Sequence, residues 1–467
     1  MTEGEPLLVG VDVGTTRVKA GLISIEGCEL GRAAVPTAWV RQATGALAGP
    51  EDFVTAVREV LATVLAGAPP GEIVGVGITS MAETAVLVDA DGRSLGPAVA
   101  WYDRRAEADV AEMEAEFGRE EIDRRTGLGI GPIPTVAMLR WLMRTHPETR
   151  RAINVLSVAE WAVYRLGGAI AAEPSLASRT GALAINGRRW WPEVIAWAGL
   201  PRTLFPALLP AGASWGRVRA PGAALARLEG AALTVAGHDH LVAAIGSGVT
   251  TAGQVMDSCG TAEALVRAIP ADGERDPAQG LSRGIATGWH VLEDHYCLLA
   301  GLPLGIDLTP LLARLGVSHE RGCASVDDAA LALLDGRLSE QEVAAPAREW
   351  LAALRASVER AGASLRGLED LGGPIAEVRV SGGWAANPVL RRLKVDAFPN
   401  TVCPRVVEAG ARGAALLAGK AAGVFGSVDA FPPPPLTDPS PPGDHAHAPA
   451  PPGSLPLSNQ PNESLLP

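Results

Sequence analysis

The sequence predicts an α/β protein built from two related halves around a cleft, and three observations carry that prediction. Residues 7–35 alternate β-rich runs with turn residues at Gly14-Thr15-Thr16 and Glu26-Gly27, the pattern of an antiparallel meander. The same strand, Gly-Thr turn, strand logic returns in GQVMDSCGTAEALVRAI (253–269), which pairs DVGTT with DSCGTA. Between them VAGHDHLVAAIG (235–246) passes from a short apolar run ending at Gly237 into small, helix-compatible residues, as a strand feeding a helix would.

Each element follows from its own pattern. A helix is expected over 50–66, where Phe53, Val57, Val60, Leu61 and Val64 share one face. IVGVGITS (73–80) reads as a buried strand, and AVLVDADGR (85–93) as a strand entering an Asp-Gly turn. Residues 105–125 are charged and helix-prone, and two helices separated by Pro147 are expected over 132–164. Residues 167–230, rich in Gly, Pro and Trp, read as surface loops leading to a hinge near 225–235. Trp350, Leu354 and Val358 place a helix over 345–366, which leads into a strand, glycine turn and helix over 376–398. A last helix over 408–422 is rich in Ala and Gly, as close packing requires. The expected organisation is an N-terminal domain over 1–230, a C-terminal domain over 231–430 and a Pro-rich, disordered tail over 431–467.

Composition narrows the partners. A 467-residue chain that is 47% hydrophobic can bury one or more large cores. A formal charge of −12, without a dense Lys/Arg block, argues against nucleic acid or an anionic membrane surface. Phosphate would then be held locally, by backbone N–H groups, a few cations or a metal. Cys28, Cys259, Cys297, Cys323 and Cys403 are widely spaced, odd in number and form no C-x-x-C pattern, which fits a reducing cytoplasm. The opening MTEGEPLLVG has neither a basic region nor a cleavable apolar stretch, and no run approaches a membrane span.

Three segments carry chemistry. Asp12-Val13-Gly14-Thr15-Thr16 turns through a glycine at a strand end, so its N–H groups and hydroxyls can converge on a phosphate, with Arg17 or Lys19 nearby. Asp12 itself would hold Mg²⁺ rather than touch phosphate. Ser258-Cys259-Gly260-Thr261 offers a second anion-binding turn, and two such turns facing one cleft suit a polyphosphate. Gly382 and Gly383 open a strand-to-helix turn where a flat ring can lie, with Asn387 placed to hydrogen-bond it, as adenine would require. Asp239 sits at a strand-to-helix junction, where α/β folds place ligands. Isolated, the Asp12 and Asp239 segments are more often an ordinary turn and an N-cap, and the others read equally as common turns.

Taken in order and spacing, DVGTTRVKAGL (11–22), WYDRR (101–105), RTGL (125–128), ASRTG (177–181), GHDH (237–240), DSCGTAEAL (257–265), SGGWAANPVLRR (381–392) and EAGARGAALLAG (408–419) resemble the FGGY family of carbohydrate kinases. The resemblance implies two ribonuclease-H-like domains of the actin and hexokinase type, closing over ATP, Mg²⁺ and a small sugar or polyol. It implies Asp239 as catalytic base, Asp12 and Asp239 at the metal, and Gly14, Thr15, Thr16 and Arg17 at the transferring phosphoryl group. Gly260 and Thr261 would hold the nucleotide phosphates, and Gly382, Gly383 and Asn387 the adenine. Glu83, Trp101, Asp103, Arg104 and His240 would contact the acceptor. Where glycerol kinases carry Arg-Glu-Thr this chain has Ala82-Glu83-Thr84, and where they carry an aromatic it has Ile133. A homodimer is the expected assembly, although no residue pattern carries it. The competing expectation is a non-catalytic sugar or nucleotide sensor that keeps the fold, which the retained Asp12, Asp239 and Thr261 disfavour.

Overall fold

The computed structural model describes residues 4–129, 133–219, 222–317 and 324–437. The N-terminal half grows from the expected meander, β1 (Leu7–Val13), β2 (Arg17–Ser24) and β3 (Glu29–Pro36), all antiparallel neighbours. Helix α1 (Pro50–Ala66) buries Phe53, Val57, Val60, Leu61 and Val64 against β2 and β3. Each such side chain contributes about 1.5–3 kcal/mol. β4 (Ile73–Ser80) then joins β1 in parallel. A capping box at Ser157 and Glu160 starts α2 (Val158–Arg165). β5 (Ala232–His238) joins β4 in parallel and feeds α3 (Asp239–Gly246).

The C-terminal half repeats the plan. β6 (Gln254–Cys259) and β7 (Glu263–Pro270) form the second antiparallel pair. β8 (Ile285–Trp289) and β9 (His295–Leu302) extend it, and α4 (Leu304–Arg314) follows. After α5 (Ala345–Gly372), β10 (Glu377–Ser381) joins β6 in parallel. α6 (Pro388–Ala397), β11 (Thr401–Pro404), α7 (Ala409–Ala421) and the short β12 (Leu436–Thr437) complete the chain. The sheets run β5-β4-β1-β2-β3, with Gly216–Arg217 at the β5 edge, and β8-β9-β7-β6-β10-β11-β12. In both, an antiparallel pair joined by a Gly-Thr turn has parallel strands on the far side of its first strand, so the repeat read from the two turns is a repeat of topology there; beyond the pair the halves differ, since β9 and not β8 neighbours β7.

The domain boundary differs from the sequence expectation. β5 begins at Ala232 and pairs with β4, so the N-terminal half continues through α3 instead of ending at 230. The segment 225–235 is therefore no crossing point; the chain passes to the second sheet after Gly246 and returns after Pro404. α7, expected within the C-terminal domain, packs on the N-terminal sheet. Gly21, Gly10 and Gly77 are register partners across β2, β1 and β4, a flat strip with no side chains. A Cβ on Gly10 would stand 1.8 Å from Ala411 O, and one on Gly77 2.0 Å from Ala414 O. The helix lies where only glycine admits it.

Three smaller expectations also change. Asn154–Ser157 is a strand, antiparallel to Ala85–Val88, between helices Thr135–Thr145 and Val158–Arg165. Residues 105–125 form two helices, broken at Gly118. Phe431 is buried against Phe425 and β12 pairs with β11, so the packed chain extends beyond 431; residues 438–467 lie outside the described residues. No described helix is long and apolar enough to cross a membrane.

Candidate active site

Asp239 is the first residue of α3, at the end of β5. Gly237, the next-to-last residue of the strand, sits at φ 111°, in the region that favours glycine; a Cβ there would also stand 2.4 Å from Val291 Cγ1 and 2.7 Å from Ser175 Oγ. Ser175 Oγ accepts from His238 N at 2.9 Å and donates to Glu173 Oε2, which accepts the backbone N–H groups of Ser175 and Leu176 as well. The backbone entering Asp239 is thus pinned by a buried network. His238 Nε2 lies 3.3 Å from Asp239 Oδ1, and His240 N donates to the same oxygen at 2.7 Å. Burial, then the neighbouring His240 and Arg179, hold His238 well below the ordinary histidine value, which favours the neutral ring. Asp239 keeps about a quarter of its side chain exposed (24%), open to a reactant.

Asp12 approaches from β1. Burial and then the Asp239 carboxylate push its pKa up to about 7, while Lys19, its cross-strand partner, opposes them. Asp12 Oδ1 is enclosed without a hydrogen-bond partner, and a Cβ on Gly410 would stand 2.6 Å from Oδ2. Lys19 is itself held by Glu408 at 2.8 Å. Two carboxylates that feel each other, one with an unpartnered buried oxygen, fit a divalent cation.

The turn beside Asp12 is braced from one side. Thr37 Oγ1 donates to Gly14 O at 2.8 Å, Trp39 Nε1 to Thr15 O at 2.8 Å and Thr37 N to Thr16 O at 3.0 Å. In a planar trans peptide the next N–H points opposite its carbonyl. The N–H groups of Thr15, Thr16 and Arg17 therefore face away from Thr37 and Trp39, as an anion cradle requires. Trp101 Nε1 donates to Thr15 Oγ1 at 2.8 Å, so this tryptophan touches the turn. Thr16 and Arg17 are exposed.

On the opposite half, Gly260 and Thr261 follow β6. Thr261 O accepts from Ile306 N at 3.0 Å, and a Cβ on Gly305 would stand 2.8 Å from both turn carbonyls and from Trp384 Nε1. Gly382 (φ 92°) packs on the Cys259 backbone, so the Gly260–Thr261 turn, the start of α4 and the Gly382–Gly383 turn converge. Beneath them Lys394 of α6 pairs with buried Asp257 and Glu263. Aligning Gly14 with Gly260 makes Ser258 the counterpart of Asp12. Asp257 lies one residue away, and the period of two turns it to the other face, into this buried cluster.

Three expected contacts already have protein partners. Asp103 is fully buried and binds Arg105 through both carboxylate oxygens, at 2.8 and 2.6 Å. It holds the loop after Trp101 in place. Arg104 is exposed and pairs with Glu107 on the next helix. Asn387 caps α6, accepting from Leu390 N at 2.9 Å, while its amide nitrogen donates to Asp327 at 2.9 and 3.0 Å, so both its amide oxygen and its amide nitrogen have protein partners. Sequence reading also missed Arg179, which donates from Nε to Glu83 Oε1 at 2.7 Å. ASRTG was visible as a motif, but a partner 96 residues away was not.

Known proteins bear on these observations. The model for the FGGY family of carbohydrate kinases, N-terminal domain, matches residues 7–246, and that for the C-terminal domain matches 324–422. A glycerol kinase of Paracidovorax citrulli is 27% identical over 428 residues, covering 81% of this chain and 82% of its own length. One of Rhodospirillum rubrum is 29% identical over 478 residues, covering 90% and 91%. Among solved structures, a xylulose kinase from Rhodospirillum rubrum superposes with a TM-score of 0.81 at 23% identity, covering 92% and 93%. Plasmodium falciparum glycerol kinase with ADP gives 0.80 at 16%, covering 93% and 94%. These superpositions show the two-domain fold.

Proposed function

The chain belongs to the FGGY family of carbohydrate kinases, and from that premise we propose that it transfers the γ-phosphoryl group of ATP to a hydroxyl of a small ketose or polyol, with Asp239 as general base. The observation that carries this reading is that Asp239, at the start of α3, acts electrostatically on Asp12 beside a braced anion turn. The acceptor hydroxyl gives its proton to Asp239 as its oxygen bonds to the γ-phosphorus; the bond from that phosphorus to the bridging oxygen breaks and ADP leaves. Such transfer passes through a loose transition state, so positioning and charge neutralisation outweigh the strength of the base.

In this reading the N–H groups of residues 15–17 with the Thr15 and Thr16 hydroxyls hold the transferring group, and Arg17 adds charge. Gly260 and Thr261 hold the remaining phosphates, and Gly382 and Gly383 line the adenine. Asp12 and Asp239 are the residues that would hold Mg²⁺, which when bound supplies charge neutralisation to the phosphates. Glu83, Trp101 and His240 face the acceptor.

The test is acceptor-dependent ADP release across pentuloses, hexuloses, pentitols, tetritols and glycerol. The expected result is strong release with one compound, reduced about 10²- to 10⁴-fold in Asp239→Asn. A fully active Asp239→Asn removes the base assignment. ATP binding with no acceptor-stimulated release would favour a nucleotide-sensing role.

A further inference from the structure

We propose that Arg179, held against Glu83, selects the acceptor by reading two adjacent oxygens of a neutral polyhydroxylated compound; the inference rests on the kinase reading above. Glu83 follows β4 at φ 61°, a conformation a non-glycine side chain adopts only when the surroundings enforce it. Thr135 Oγ1 donates to its carbonyl at 2.9 Å, and Arg179 Nε fixes Oε1 at 2.7 Å. Strain is thus retained to aim one carboxylate.

That contact engages one carboxylate oxygen and one guanidinium nitrogen. Among the described residues, Glu83 Oε2 and the two Nη groups of Arg179 take no protein partner, and neither is sealed from solvent. Side by side they form an acceptor and a donor. One hydroxyl can donate to Glu83 Oε2 while the neighbouring hydroxyl or carbonyl oxygen accepts from Arg179 Nη, as two adjacent oxygens of a polyol or ketose would. Arg179 also stands beside the reacting centre: it and His238 line one small cavity with Ser175, Ser178 and Trp289. The pair is electrically neutral, and Asp12 and Asp239 add negative charge near it. A carboxylate on the acceptor would compete with Glu83 for Arg179 and meet those acids, so aldonates are excluded.

The experiment measures ADP release by the full chain with Mg-ATP and glycerol, xylitol, D-xylulose or D-gluconate, for wild type, Arg179→Gln and Arg179→Lys. The expected result is turnover with a neutral compound and none with gluconate. Arg179→Gln then raises the acceptor KM about 10- to 100-fold, the scale of one hydrogen bond to a charged group. The KM for ATP stays within about twofold, since Arg179 is far in function from the nucleotide turns. Arg179→Lys, which keeps the charge beside Glu83 but not the fork, shows the same acceptor defect with a wild-type melting temperature. An unchanged acceptor KM in a folded variant, or gluconate as the best acceptor, overturns the proposal. If wild type phosphorylates none of the four, and none of the hexuloses and tetritols of the wider panel, the kinase reading is what fails. The same compounds are then tested for thermal stabilisation: a shift by a neutral compound that Arg179→Lys abolishes sustains the inference, and no shift ends it.

Discussion

Replacing Gly413 by alanine sets two effects of opposite sign against each other. In a helix interior Ala is favoured over Gly by about 1 kcal/mol, so propensity alone predicts a more stable protein. Packing predicts the reverse. A Cβ on Gly413 would stand 2.0 Å from Val242 O in α3, where ordinary contact begins at 3.4 Å, so the helices must part by more than 1 Å. α7 cannot retreat, because its other side rests on Gly10 and Gly77 with equally close approaches to Ala411 O and Ala414 O. Overpacking of this kind costs about 1–3 kcal/mol and can exceed that range; with both sides blocked the upper end applies, leaving a net loss of about 2 kcal/mol. Gly362, in α5, is the control: its Cβ would make ordinary contacts at 3.6 and 3.7 Å, so Gly362→Ala should stabilise. Urea denaturation of the two variants should move the midpoint in opposite directions. A Gly413→Ala protein as stable as wild type would refute the packing argument.

Lys394→Met leaves Asp257 and Glu263 buried without their cation, and denaturation should show a loss of about 3–5 kcal/mol. Weaker ATP binding should accompany it, since the Gly260–Thr261 turn ends the strand carrying Asp257; a variant matching wild type in both would show that the cluster holds nothing. Burial pushes Glu173 up from 4.5 to about 7, so the folded protein keeps a proton that the unfolded chain releases. That contribution is fully present below about pH 4.5 and lost as pH rises through about 7. Glu173→Gln cannot titrate, so its stability relative to wild type should improve from pH 5 to 8 by up to about 3 kcal/mol, on top of a constant cost for the misplaced amide. Parallel pH–stability curves for the two proteins would count against a buried, titrating Glu173.

Local patterns determined much of this molecule. Alternation and turn residues specified β1 to β3, the apolar stripe of α1 matched its buried face, and VAGHDHLVAAIG marked the strand-to-helix passage that carries Asp239. These signals are legible because side-chain period and turn chemistry act within a few residues. What the tertiary structure decided are relations between distant segments: that β5 closes the first sheet and α7 crosses to lie on it, since Gly10, Gly21 and Gly77 align only once the strands pair. It also decided which polar groups stay available. Asp103, Asn387 and Glu83 look alike as candidates in one dimension, yet Arg105 consumes the first and Asp327 the second, while Arg179 leaves the third half open. A polar residue's role depends on which partners the fold brings to it; Arg105 is two residues from Asp103, but Asp327 and Arg179 lie 60 and 96 residues from theirs, beyond the reach of any local pattern.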